Sequence, residues 1–174
     1  MYIKRMRKTL KNKIFNNWLA AIIILPINVL ILIPAVLLYL TDFTFTYPNI
    51  LQIIFTLITG IIGLFFAGWS MLTFKSKGNG TPAPWAPPQN FVVTGPYKYV
   101  RNPMISGVIF LLYAEFCITK SVALFLWFLI FTFINLFYIH YVEEPQLKKR
   151  FGAPYEKYLK DVPCWIPKAK KFQQ

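Results

Sequence analysis

Acidic residues are scarce in this chain: six Asp and Glu stand against 19 Lys and Arg. Charged residues of both signs make up 14% of the sequence, far below the roughly 25% of a soluble domain, so a water-facing surface over most of the chain is excluded. Cysteine is nearly absent. Cys117 and Cys164 have no CxxC spacing and fall in segments expected on opposite sides of a membrane, so neither a disulfide nor a metal site is read and redox chemistry gains no support. The net charge of +13 comes without any nucleic-acid motif. Its expected work is membrane topology and contact with anionic lipid headgroups.

Apolar residues make up 56% of the chain, with 17 Phe, 10 Tyr and 5 Trp. They gather in four segments, about 18–40, 51–72, 104–119 and 121–142. The first two exceed the roughly 20 residues needed to span a bilayer. The third is shorter and carries Glu115, and only Thr119, Lys120 and Ser121 separate it from the fourth. A tight helical hairpin is expected there, because in lipid the backbone must bond within each helix. The first segment is too long for a signal peptide and has no small-residue cleavage pattern. The reading is an all-α integral membrane protein of four transmembrane helices, forming a single domain over residues 1–174.

Charge orients the bundle. Six of the basic residues precede the first apolar segment, four lie in 73–103 and eight follow the fourth, leaving only Lys120 for the other side. The positive-inside tendency then puts both termini and the segments 73–103 and 143–174 in the cytoplasm. Pro82, Pro84, Pro87 and Pro88 favour a stiff, extended stretch in the first of these. In the second, Gly152 is expected to break the helix before Pro154 opens a short new one, and Pro163, Trp165 and Pro167 suggest a tail pinned at the interface.

Taking Lys120 as the hairpin apex, Arg101 lies nineteen residues back and Ile139 nineteen forward, so Arg101 and the stretch from His140 to Glu144 should end at similar depth. His140 and Glu144 share a helix face, while Glu143 points about 100° away. Carboxylates beside hydrocarbon are costly unless paired or wetted, so Arg101, Tyr97 or Asn102 should meet Glu143 or Glu144. Each residue also has a plainer reading: Arg101 as a snorkelling charge, the glutamates as i+4 partners of Lys148, His140 as interfacial packing. Gly60, Gly63, Ala67 and Gly68 are expected to serve close helix packing.

The motifs GPYKYVRNPMISG at Gly95 to Gly107 and EEPQLKKRFGAPYEKYLKDVPCWIP at Glu143 to Pro167 resemble the membrane S-adenosylmethionine methyltransferases that include isoprenylcysteine carboxyl methyltransferase and the phospholipid N-methyltransferases. The GNGTPAPWAPP stretch at Gly78 to Pro88 is similar to one in small members of that group. The resemblance implies S-adenosylmethionine as cofactor, bound by Tyr97, Arg101, Asn102, Pro103, Gly107, Glu143 and Glu144, with Arg101, Glu143 and Glu144 as the catalytic set; His140 joins the cofactor-binding residues from its place on the Glu144 face. Ile105 departs from the pattern, where relatives carry a tyrosine. The implied acceptor is a lipid-like amphiphile, with isoprenylcysteine-type carboxyl O-methylation slightly preferred over phospholipid or other amine N-methylation.

Chemistry points the same way. Arg101 suits the donor's carboxylate, and either glutamate suits its ammonium or ribose. Methyl transfer needs alignment and exclusion of water rather than a covalent nucleophile or a metal. Three other classes compete, and one of them, a channel or transporter, would want polar residues deep in the spans, where only isolated Asn28, Asn135 and Glu115 offer them. An NADPH-dependent sterol-type reductase has a similar C-terminal layout, but this chain is short for one; a non-catalytic membrane scaffold leaves the meeting of Arg101, His140 and the two glutamates at one depth unexplained.

Overall fold

The computed structural model describes residues 26–77, 91–165 and 172. The basic leader, the first part of the first apolar segment, the proline-rich Gly78 to Pro88 stretch and Pro167 lie outside the described residues. Within them run five helices: α1 (Asn28–Leu40), α2 (Ile50–Lys77), α3 (Pro103–Thr119), α4 (Val122–Phe151) and α5 (Ala153–Asp161).

The expectation of four transmembrane helices is corrected. Among the described residues two helices, Ile50–Phe74 within α2 and Val122–Phe151, are long and apolar enough to cross a membrane, with 25 and 30 residues. Pro103–Thr119 is shorter, and so is Asn28–Leu40, the described part of the first apolar segment. Helix α3 is confined by chain chemistry at both ends. Pro103 occupies its first turn, where a missing N–H goes unmissed, and Lys120 ends it in a left-handed conformation at φ 56°. Its 17 residues reach about 25 Å, short of a hydrocarbon core of about 30 Å. Helix α4, by contrast, continues past the expected end at residue 142 to Phe151. Only 11% of the most apolar stretch of each long helix is buried within the protein, so their side chains face outward as lipid-exposed helices do.

Helices α2 and α3 form the closest pair. At Gly63 an added Cβ would stand 2.8 Å from the Gly107 carbonyl oxygen, and at Gly107 one would stand 2.7 Å from the Ala67 nitrogen. Backbones meet there because neither glycine has a side chain. Gly60 and Gly68 face open space instead, so close packing falls to Gly63, Ala67 and Gly107. At the far end Gln52 Nε2 donates to the Cys117 carbonyl at 3.2 Å. The α3–α4 hairpin is filled by rings: Tyr113, Phe116, Phe125 and Phe128 contact one another in series. Helix α1 is tied to α4 by Trp127 Nε1, which donates to the Val29 carbonyl at 3.1 Å.

Two helices contain a wide π turn, Asn28–Leu32 in α1 and Ile139–Glu143 in α4. Each ends two residues before a proline, Pro34 and Pro145. A proline inside a helix gives no N–H to the carbonyl four residues back and crowds it, and widening the preceding turn relieves both. The second π turn carries His140 and Glu143 and leads straight into Glu144 on the last part of α4.

Candidate active site

The opening residues of GPYKYVRNP form a one-turn 3-10 helix, Gly95–Lys98. Gly95 has φ +60°, and a Cβ there would stand 2.6 Å from Thr73 Oγ1, so both conformation and space require glycine. The turn seats Tyr97 in the interior, its ring against Phe74 at 5.1 Å. Burial pushes the Tyr97 phenol well above its ordinary range; neighbouring Tyr158 adds to this and Ser70 opposes it. Tyr99 stacks obliquely on Trp69. Val100 is fully buried, which fixes the chain just before Arg101.

The tail grips the same loop. Arg101 N donates to the Pro163 carbonyl at 2.9 Å, and Asn102 N to that of Cys164 at 3.3 Å. Asn102 Nδ2 reaches Cys164 Sγ at 3.3 Å, and the Tyr158 hydroxyl donates to the Tyr97 carbonyl at 2.8 Å. Burial raises the Tyr155 and Tyr158 phenols, so both stay neutral through the working pH range. Cys164 is also raised by burial, against the opposing pull of the Asn102 amide and Arg101, and is held as a thiol. Beneath the loop, Val93, Tyr155, Tyr158, Val162 and Phe172 form a small buried core with Phe91 stacked on Phe151. The tail is thereby a packed part of the site.

Arg101 Nη1 meets Glu144 Oε1 at 3.0 Å, and both side chains are mostly buried, at 14% and 13% exposure. His140 Nδ1 lies 3.8 Å from Glu144 Oε2 but is largely exposed. These three residues line a cavity of about 380 Å³, within the range of small-molecule sites. Leu136, Phe137, Ile139 and Tyr141 make its apolar wall, and Cys164 and Trp165 close it from the tail. Two buried nitrogens on its lining residues, Arg101 Nε and Trp165 Nε1, have no hydrogen-bond partner.

Other residues singled out in the sequence lie around this cavity rather than on its wall. Tyr97 supports the loop from inside. Asn102 accepts from Ser106 N and Oγ at 3.0 Å through its carbonyl and joins the loop to the tail. Pro103 is buried at the start of α3, and Gly107 packs against Ala67. Glu143 is half-buried beside Glu144, close enough to Tyr97 and Tyr155 to act on them electrostatically. Sequence reasoning missed Tyr141, Cys164 and the inward position of Trp165. A tryptophan between prolines in a basic tail reads as an interfacial anchor, and the only contrary signal was the need of the extended GPYKYVRNP loop for backbone partners.

A family model described as phospholipid methyltransferase matches residues 51–154, well over half of the chain. The chain belongs to the phospholipid methyltransferase family. The match runs from α2 into the first turn of α5 and takes in Arg101, His140 and both glutamates. No curated protein matches the sequence. The chain is therefore an S-adenosylmethionine-dependent membrane methyltransferase acting on a lipid-like substrate, and its two long apolar helices make it an integral membrane protein. The cavity suits the cofactor: an acidic oxygen and two unpaired buried N–H groups match a ligand carrying an ammonium, a carboxylate and hydroxyls.

Proposed function

We propose that this methyltransferase N-methylates the amine headgroup of a phospholipid. The family match carries this reading, and it displaces the earlier preference for isoprenylcysteine-type carboxyl O-methylation. Bound S-adenosylmethionine supplies an electrophilic methyl group on a sulfonium. Arg101 binds its carboxylate, and Glu144, held by Arg101 at 3.0 Å, accepts its ammonium. His140 stands at the open rim, where it meets ribose or the incoming headgroup. Tyr97, Asn102, Pro103 and Gly107 hold the loop and the α3 start in register with α2 and the tail.

An amine nucleophile must be neutral to attack, so a protonated headgroup has to give up a proton first. Glu143, half-buried beside Glu144, is the base we assign. It would take the ammonium proton before attack, leaving a neutral amine whose lone pair forms the N–C bond as the donor's S–C bond breaks. The apolar wall of Leu136, Phe137 and Ile139 excludes water and lies against the acceptor's chains. The whole chain, residues 1–174, acts as one domain. Both termini face the cytoplasm, where basic residues 1–17 and 148–171 contact anionic headgroups.

The test offers labelled donor together with aminophospholipids, prenylated thiols and matched water-soluble headgroup amines. Base-stable label in the aminophospholipid supports the proposal. Base-labile label in a tailed carboxylate, or equal labelling of the soluble amines, overturns it.

A further inference from the structure

Among the described residues four buried side-chain atoms lack a hydrogen-bond partner, and the two nitrogens among them, Arg101 Nε and Trp165 Nε1, sit on residues lining one cavity. Buried N–H groups in native proteins are nearly always paired, so two orphans at one cavity mark the place of an absent acceptor. Their relative placement is built in. The Arg101 and Asn102 backbone nitrogens bond to the Pro163 and Cys164 carbonyls, and Asn102 Nδ2 to the Cys164 sulfur, so Trp165 follows directly from the segment laid against Arg101.

Two fixed N–H donors, one of them cationic, suit an anion with two oxygens. Beside them Glu144 binds Arg101 through Oε1, while its Oε2 has, among the described residues, the exposed His140 at 3.8 Å. A donor pair next to a carboxylate oxygen complements an α-amino acid group, whose carboxylate and ammonium share one carbon. We infer that Trp165 Nε1 and Arg101 Nε together bind the α-carboxylate of the methyl donor, which makes Trp165 a donor-binding residue rather than an interfacial anchor. This rests on the methyl-donor reading above. A lipid phosphate has the same two-oxygen chemistry, but lacks the adjoining ammonium that Glu144 calls for.

The test uses the full chain in detergent, titrated calorimetrically with S-adenosylhomocysteine and with methylthioadenosine, which lacks the amino acid end. W165F should weaken S-adenosylhomocysteine about ten- to hundredfold, the range for losing a hydrogen bond to a charged group, and leave methylthioadenosine within about twofold. W165H, which restores a ring N–H, should recover part of the loss. In the unsubstituted protein the Trp165 indole N–H resonance should move downfield with S-adenosylhomocysteine and not with methylthioadenosine. Equal weakening of both ligands, no weakening of either, or a rise in phospholipid KM with donor affinity unchanged would each overturn the inference. Failure of the unsubstituted protein to bind either nucleoside would instead overturn the methyl-donor assignment beneath it.

Discussion

Arg101 and Glu144 hold each other in a mostly buried site, so each tests the other. R101A and E144A should each weaken donor binding by about 1.5–3 kcal/mol, the scale of a lost charged hydrogen bond. Each should also lower thermal stability, because the remaining charge is left buried without its partner. Calorimetric titration with S-adenosylhomocysteine checks the first effect; folded variants with unchanged affinity would show that the pair is only structural. Cys164 offers a test by pH. Burial raises its thiol above the ordinary range, so little thiolate exists near neutrality and alkylation should be slow. In C117S protein the rate should climb about tenfold per pH unit through pH 9, since thiolate grows in that proportion below the pKa. Bound S-adenosylhomocysteine should slow it. A rate that levels off by pH 8 would contradict the burial argument.

Among the elements, the α2–α3 contact separates glycines that pack from glycines that do not. G107A places a Cβ 2.7 Å from the Ala67 nitrogen and should destabilise the protein by about 1–3 kcal/mol, seen as a lower melting temperature in detergent. G60A and G68A meet nothing within 4 Å and should be neutral or stabilising by up to about 1 kcal/mol, because alanine favours the helix. Equal effects at all three positions would mean that the helices do not cross where Gly63 meets Gly107. Here the legibility of the sequence can be judged. Hairpin arithmetic from Lys120 put Arg101 level with the His140 to Glu144 stretch, because rise per residue is constant and the apex was marked by charge. The same pattern of apolar runs overcounted the spans, since hydropathy registers composition while the 17 residues of α3 fall short of a bilayer's thickness. Small residues on α2 read alike in the sequence, yet only those facing α3 pack, and that face depends on the partner. The tail was the hardest to read, as its pairing with Arg101 and Asn102 joins residues some sixty positions apart through backbone groups that every sequence has.

For the whole molecule, the proposal joins charge asymmetry and lipid-facing helices: a basic face carrying the donor cavity, set on apolar helices that bring the acceptor to it. With six of the 19 basic residues in 1–17 and eight in 148–171, cysteines placed at residues 3 and 170 should label from the same, cytoplasmic side of sealed vesicles. Labelling from opposite sides would contradict the proposed placement of both termini. The central claim is that this chain moves a methyl group from S-adenosylmethionine to a phospholipid amine. Its most direct measurement is mass spectrometry of the lipids from nanodiscs containing phosphatidylethanolamine, purified protein and deuteromethyl-labelled donor. The account expects deuterated methyl groups on the headgroup nitrogen, and their loss in the R101A variant. Unaltered phosphatidylethanolamine, in a preparation that binds S-adenosylhomocysteine, would contradict it.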